Sequence, residues 1–364
     1  VDEGIHIHRF RCARVDSNPA RPVPIRLASR VLRYVNYIVV GTWAALRLGR
    51  EIKPDLVIGY GVQAAAAASL TARFLGRPNV TRLFGLQLNH YLNSRWKLPA
   101  AFMEIFGLKA RARYLIIHDD GSQGDKLARR MGVPPERICF WRDGYDPAIC
   151  AASSEVARIR GELAIPADHV ILFCVGRLGE DKKMGRLIEV LPGILAQEPS
   201  VTLLLVGDGP DRPLIERAIE ERGVRDHVRL PGGVTRDRLA PYFQLGDIFV
   251  GVSDRTNANL PSVEAMSCGK PLVVLDVGGT NTLVERGVTG LLVDPARWRE
   301  DLPAALLALV RDPARRRALG EAAREKVLGQ FPTIEGRQEM EVSIGLRAVR
   351  EFQSEQAAGR RQTA

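Results

Sequence analysis

The sequence predicts an α/β protein made of two doubly wound domains with parallel sheets, and three observations carry this reading. Short, fully apolar runs bounded by turn residues recur through the second half, at Val170–Val175, Val201–Val206, Val228–Leu230, Ile248–Val252, Leu272–Leu275 and Leu291–Val293. Helix-like stretches separate them, and Met184, Leu187, Ile188, Leu191, Ile194 and Leu195 share one helical face at i, i+3, i+4, i+7 spacing. The first half repeats the alternation, with strands at Leu56–Ile58, Asn79–Leu83, Tyr114–His118 and Ile138–Trp141 and helices that include Gln63–Phe74 and Gly124–Met131. Strands that are apolar throughout must be covered on both faces, which is the setting of a parallel sheet between helix layers. In such sheets ligands bind beyond the carboxyl ends of the strands, so a cleft between two facing domains is the expected site.

Length and composition agree. With 364 residues, 46% of them hydrophobic, the chain can bury two cores and is too apolar to remain unfolded. The first domain is expected over residues 1–143, a linker over 144–153, and the second domain over 154–330. Residues 331–364 read as a C-terminal helix that packs back toward the first domain and ends in a disordered tail. The opening run Gly4–Phe10 reads as a strand with no βαβ unit before it, so the first domain is expected to be incomplete at its N-terminus by about 60 residues.

The longest apolar stretch, Tyr34–Leu48, is interrupted by Asn36 and Arg47 and is shorter than the roughly 20 residues of a membrane span; a helix with one buried face explains it. Val1 is followed at once by Asp2 and Glu3, which is no leader pattern. Cys12, Cys139, Cys150, Cys174 and Cys268 are scattered without a CxxC pair and read as small core residues in a reducing compartment. A cytoplasmic location is therefore expected. Charge is lopsided: residues 1–150 carry 23 Lys and Arg against 12 Asp and Glu, while the remainder carries 29 against 30. Arginine-rich coding explains part of this, since Arg outnumbers Lys 44 to 8. The sharper explanation is a basic first domain that meets an anionic membrane surface or a lipid-diphosphate acceptor. Nothing beyond charge points to nucleic acid.

Several common site motifs are missing. There is no GxxxxGK[ST], no GxGxxG after a strand and no HExxH, so nicotinamide, flavin and metal readings have no anchor. What does occur is VGRLGEDKKM, where a strand ends at Gly176, Arg177 sits at its tip and Lys182 opens the following helix. Two cations at the mouth of a βα turn suit a diphosphate, although solvated first-turn lysines are the plainer alternative. In Ser253–Gly269 a polar turn leads into a helix with Pro261 in its first turn, so the N–H groups of Asn259 and Leu260 form an anion site. Glu264, one turn further on, can accept from a ribose diol or simply complement the helix dipole. Glycine-rich turns at Val206–Pro210, which includes Gly207, and at Asp276–Gly290 complete four strand ends furnished with glycine, cation or carboxylate. In the first half, Tyr60, Arg82, His118 and Asp119 stand at strand ends. His118 reads as catalytic or as a structural histidine, and the Asp119–Asp120 pair as an acceptor-positioning group or a cap for a helix starting near Ser122.

Taken together, VGRLGEDKK, VGDGPDRPLIERA, RLPGGV, GDIFVGVS, LPSVEAMSCGKPLVV and DVGGTNTLVERGVTGLLVDP resemble, in order and spacing, the retaining nucleotide-sugar glycosyltransferases of family 4 (glycosyl transferases group 1). The resemblance covers about residues 170–295; KPDLVIGYG, RLFG and MGVPPERICFWRDGYDP match more loosely. It implies the GT-B fold and transfer of a sugar from a nucleoside diphosphate to a hydroxyl of a glycan or lipid-linked acceptor, with no cofactor and no metal. It also implies that Arg177 and Lys182 hold the donor diphosphate and Glu264 the ribose, with backbone amides at the head of the helix of Glu264 on the diphosphate and sugar. From their places at strand ends and turns, Gly176, Gly207, Gly232, Thr256, Asn259 and Leu260 are expected around the donor, and Arg82, His118 and Asp119 are the acceptor-side candidates. Three positions depart from the family pattern. Thr256 stands eight residues before Glu264 where the family has Glu, Gly278-Gly279-Thr280-Asn281-Thr282 replaces Gly-Gly-x-x-Glu, and Asp143-Gly144 replaces Asn-Gly. A protein that binds nucleotide-sugar without transferring it is the alternative these departures leave.

Overall fold

The computed structural model describes residues 8–10, 23–84, 86, 101–151 and 154–362. Most of the expected strand at Gly4–Phe10, and the last two residues of the expected linker, lie outside them; His8–Phe10 have no regular structure. The chain forms two compact units, one of residues 1–141 with 338–364, the other of residues 142–337.

The first unit runs α1 (Val23–Ile52), β1 (Val57–Tyr60), α2 (Gly61–Leu75), β2 (Asn79–Leu83), α3 (Phe102–Lys109), β3 (Tyr114–His118), α4 (Gly124–Arg130) and β4 (Ile138–Trp141). Its four strands are parallel and lie in sequence order, β1-β2-β3-β4. Alternation along each strand divides the core. Leu83, Leu115 and Ile117 face α3 and α4 on one side, whereas Val80, Tyr114 and Ile116 face Ile344 and Ala348 on the other. The apolar stretch Tyr34–Leu48 lies inside α1, which packs on α2. α2 stops at Gly76, whose φ of 62° is the left-handed conformation that closes a helix.

The second unit continues with α5 (Glu155–Glu162), β5 (Val170–Val175), α6 (Gly185–Leu195), β6 (Val201–Val206), α7 (Arg212–Glu221), β7 (Val228–Gly232), α8 (Ala240–Leu245), β8 (Ile248–Gly251), α9 (Leu260–Ser267), β9 (Leu272–Leu275), α10 (Thr280–Leu283), β10 (Gly290–Val293), α11 (Trp298–Val310) and α12 (Pro313–Gln330). All six strands are parallel in the order β10-β9-β8-β5-β6-β7. The chain therefore winds outward from β5 to β7, returns, and winds the other way from β8 to β10. The reversal lies between β5 and β8. Leu172, Cys174, Leu203, Leu205, Val273 and Leu275 pack against α6, α7 and α11, while Ile171, Phe173, Leu204, Val206, Leu272 and Val274 face α8, α9 and α12.

The last helix, α13 (Ile334–Gln362), begins in the second unit and belongs to the first from Gln338 onward, where Tyr114 Oη donates to Glu351 at 2.8 Å. It stays helical to Gln362, whereas the sequence reading ends it in a disordered tail. The expected linker also differs. The division falls at Trp141, and the following residues are tied into the second unit: Tyr145 N–H donates to Pro332 O at 3.1 Å, and Ile334 N–H donates to Tyr145 O at 2.9 Å. Gly144 is required there, because a Cβ would lie 2.6 Å from Thr333 O.

The carboxyl end of the second sheet is closed by backbone contact. Gly207 has a φ of 143°, and a Cβ on it would overlap the carbonyl oxygen of Gly176. Gly207→Ala should therefore destabilise the protein by at least about 2 kcal/mol in urea or thermal unfolding. A loss below ~0.5 kcal/mol would show that this approach is not required.

Candidate active site

Four loops leave the carboxyl ends of β5, β6, β8 and β9, and hydrogen bonds fasten them to one another. After β5, Gly176 N–H donates to Val206 O at 2.9 Å; Leu178, fully buried, donates its N–H to Asp208 O at 2.9 Å and accepts from Asp211 N–H at 3.0 Å. Gly207 N–H in turn reaches Gly232 O at 2.9 Å, joining β7 to the set. After β8, Ser253 Oγ donates to Asp181 O at 3.0 Å, and Arg186 Nη1 reaches both Val252 O at 3.0 Å and Asp254 Oδ1 at 2.6 Å. The buried Asn257 holds the next connection: its Oδ1 accepts from Ser253 N–H, its Nδ2 donates to Leu275 O at 2.9 Å, and its N–H donates to Thr280 Oγ1 at 2.9 Å. The β5 and β8 loops flank the reversal of strand order, where a doubly wound sheet leaves a crevice.

Arg177 and Lys182 both sit in the β5 loop. The Arg177 side chain is 61% exposed, with Nη2 2.6 Å from Asp181 Oδ1. Lys182 N–H closes a turn on Gly179 O, and among the described residues its ammonium makes no ion pair. The helix expected to open at Lys182 starts only at Gly185, because Lys183 adopts a φ of 53°, a left-handed conformation a helix cannot include. Lys182 thus belongs to the loop.

On the other side of the reversal, Asn259 caps α9. Its Oδ1 accepts from Ser262 N–H at 3.2 Å, and Pro261 occupies the first turn, where no N–H is needed. Thr256 Oγ1 accepts from Ala258 N–H at 3.0 Å, so this residue shapes the approach to the helix. The remaining N–H groups at the head of α9, with the positive end of its dipole, are an arrangement that favours an anion. Gly278, at φ 57°, lets the β9 loop cross the Arg255 carbonyl where a Cβ would not fit.

Glu264 is 2% exposed, and its Oε1 is 2.7 Å from Arg236 Nη2; the same guanidinium lies 3.7 Å from Asp146 Oδ2. Burial pushes the Glu264 carboxyl above the ordinary range, against the pull of Arg236. Among the described residues no group of three or more His, Cys, Asp or Glu is placed to hold a metal ion, and no helix is long and apolar enough to cross a membrane.

Residues 155–326 match the family of glycosyl transferases group 1. The chain is 28% identical over 347 residues to alpha-D-kanosaminyltransferase of Streptomyces kanamyceticus, covering 89% of this chain and 84% of that one. It is 31% identical over 214 residues to D-inositol 3-phosphate glycosyltransferase of Thermobispora bispora, covering 56% of this chain and about half (49%) of the relative. The fold matches the crystal structure of Anabaena HepE in complex with UDP-glucose at a TM-score of 0.70 and 21% identity, over 83% of this chain and 81% of that one.

Residues 155–326 form a domain of the glycosyl transferases group 1.

In this glycosyltransferase, which has the two Rossmann-like domains of the GT-B fold, the residues expected around the donor gather at the strand ends of the second unit. Gly176, Arg177 and Lys182 follow β5, Gly207 follows β6, Gly232 ends β7, and Thr256, Asn259, Leu260 and Glu264 follow β8. In the first unit, Arg82 Nε donates to His118 Nε2 at 2.9 Å, and Arg82 Nη1 is 3.0 Å from Glu341. That ring nitrogen is an acceptor in a fixed contact, and the Phe84 ring meets the imidazole edge-on at 5.2 Å between centroids. Asp119 N–H donates to Trp141 O, and Asp120 Oδ1 accepts from Ser122 N–H at 3.0 Å, which fixes the turn before α4.

Sequence reading missed Arg236, Asn257, Thr280 and Arg186. Asn257 stands in a visibly polar turn, but its role depends on contacts to Leu275 and Thr280 that no local pattern encodes.

A buried carboxyl whose folded-state pKa is raised is favourable to folding below its unfolded value and becomes unfavourable as the pH rises through the folded one. Arg236 opposes that rise. Arg236→Ala should therefore lose more stability at pH 8 than at pH 5, by about 1–3 kcal/mol at the higher pH, measured by urea unfolding. Equal losses at both pH values would show that Arg236 does not compensate the Glu264 charge.

Proposed function

We propose that this enzyme transfers a sugar, with retention of anomeric configuration and without a metal, from a nucleoside diphosphate to a hydroxyl of a glycan or lipid-linked acceptor. The observation that carries this reading is the pairing of Arg177 and Lys182, on the β5 loop, with the head of α9 across the reversal of strand order. Departure of the nucleoside diphosphate builds negative charge on a phosphate oxygen, and fixed cations and N–H donors stabilise that charge as it forms. The sugar C1–O bond to phosphate breaks, the acceptor oxygen bonds C1 on the same face, and the acceptor proton passes to the departing phosphate. No side-chain base is needed for that step. The capture of UDP-glucose by HepE, a protein of the same fold, supports a nucleotide-sugar donor.

A peripheral contact with an anionic membrane surface belongs to the same proposal. On α1, Leu32, Val35, Val39 and Trp43 are exposed at helical spacing, and Arg33, Arg47 and Arg50 are exposed on the same helix. Such a face, with apolar and cationic side chains together, suits the headgroup region of a bilayer.

Screening nucleotide-sugars with lipid and glycan acceptors should give transfer that persists in EDTA, with an α donor yielding an α-linked product by NMR. The Arg177→Ala, Lys182→Ala double variant should lose at least 10²-fold in kcat, since one such donor is worth about 3–4 kcal/mol. An inverted product, or full activity in the double variant, would overturn the assignment. Tight donor binding with neither transfer nor hydrolysis would instead establish a binding protein.

A further inference from the structure

The second unit holds a pair of thiols that sugar transfer does not use. Cys150 ends the short 3₁₀ turn Pro147–Cys150, which Asp146 caps by accepting from Ala148 N–H at 2.9 Å. Cys268 follows the last residue of α9, its N–H donating to Glu264 O at 3.1 Å. Cys150 Sγ lies 3.1 Å from Ser267 Oγ, and Cys268 Sγ lies 3.5 Å from the carbonyl oxygen of Ile149. Each sulfur thus contacts the residue next to the other cysteine, Ser267 beside Cys268 and Ile149 beside Cys150, and both thiols are free and half-buried. Two sulfurs held together by fixed backbone on either side, one on the segment between the units' last and first strands and one on the helix bearing Glu264, are placed to react with one another.

We propose that Cys150 and Cys268 form a thiol modification site that a peroxide converts to an intramolecular disulfide. In the first step the Cys150 thiolate attacks one peroxide oxygen and the O–O bond breaks. Cys150 becomes a sulfenic acid, and the departing hydroxide is protonated to water. In the second step the Cys268 sulfur attacks Cys150 Sγ, the S–O bond breaks, and a second water leaves. Two thiols lose two electrons and two protons, and one peroxide becomes two waters.

The surroundings assign the order. Cys150 is pulled down to about 7, first by the hydrogen bond from the Cys268 thiol and then by Ser267 and Arg324, against burial and the Glu264 charge. Cys268 is pushed up, chiefly because its proton is held by Cys150, with burial adding to the effect and Lys270 opposing it. Thiolate character makes Cys150 the attacking group and Cys268 the resolving one. Cys174 provides an internal contrast: it is buried, and burial pushes its thiol up to about 12.

The test treats the reduced full-length chain with hydrogen peroxide, then alkylates it under denaturing conditions and maps the peptides. The expected result is a mass 2 Da lower, a single cross-linked pair of peptides containing Cys150 and Cys268, and reversal by dithiothreitol. Cys268→Ser should stop at a Cys150 sulfenic acid that dimedone traps, and Cys150→Ser should give no cross-link. Alkylation of both cysteines after peroxide, or a cross-link between another pair, would overturn the proposal. Mapping the unmodified sequence decides this even if a variant fails to fold, and it does not depend on which sugar is transferred.

Discussion

The contact on which the second unit depends is the approach of bare backbone at the carboxyl end of its sheet. Gly176 bonds to Val206 and Gly207 to Gly232, and at Gly207 a Cβ would overlap the Gly176 carbonyl oxygen, which leaves no room for a side chain. This lets three adjacent loops meet as a floor of peptide groups, with the first cationic side chain, Arg177, at its rim. The reversal of winding between β5 and β8 then leaves the opposite rim to the head of α9. Chain topology supplies the crevice, and glycine permits its walls to come together.

Polar side chains hold this arrangement where packing does not. Asn257 satisfies the backbone of its own loop and of the β9 end in one set of hydrogen bonds, and Arg186 joins α6 to the β8 loop while its guanidinium lies 5.0 Å from the Trp298 ring centroid. The Asp146–Arg236–Glu264 series differs in kind. Glu264 is buried, so its charge depends on a partner, and that partner comes from the turn after β7 while its own neighbour comes from the segment after β4. Three stretches far apart in sequence thus meet around one carboxylate.

Much of this was legible in the sequence, for identifiable reasons. Strands buried on both faces leave apolar runs that stand out, so β5, β6, β8 and β9 were placed almost to the residue. The places of Arg177 and Lys182 beyond β5 were legible because strand end and cation lie in one short segment. The start of α6 was misplaced because the left-handed turn at Lys183 falls on a residue type that ordinarily avoids it. The segment from Asp143 reads as a linker by its turn-forming residues, yet its pairing with Pro332 and Ile334 is set by residues far along the chain. Arg236 left no local signal at all. Partners separated by 28 residues are joined by topology, and no periodicity marks them.

The most direct measurement is a crystal structure of the full chain with bound UDP, with ADP and GDP complexes in parallel. The phosphates should lie within hydrogen-bonding distance of Arg177 and Lys182 and of the N–H groups that open α9. Phosphates bound elsewhere, with both cations left facing solvent, would contradict the assignment of this crevice as the donor site.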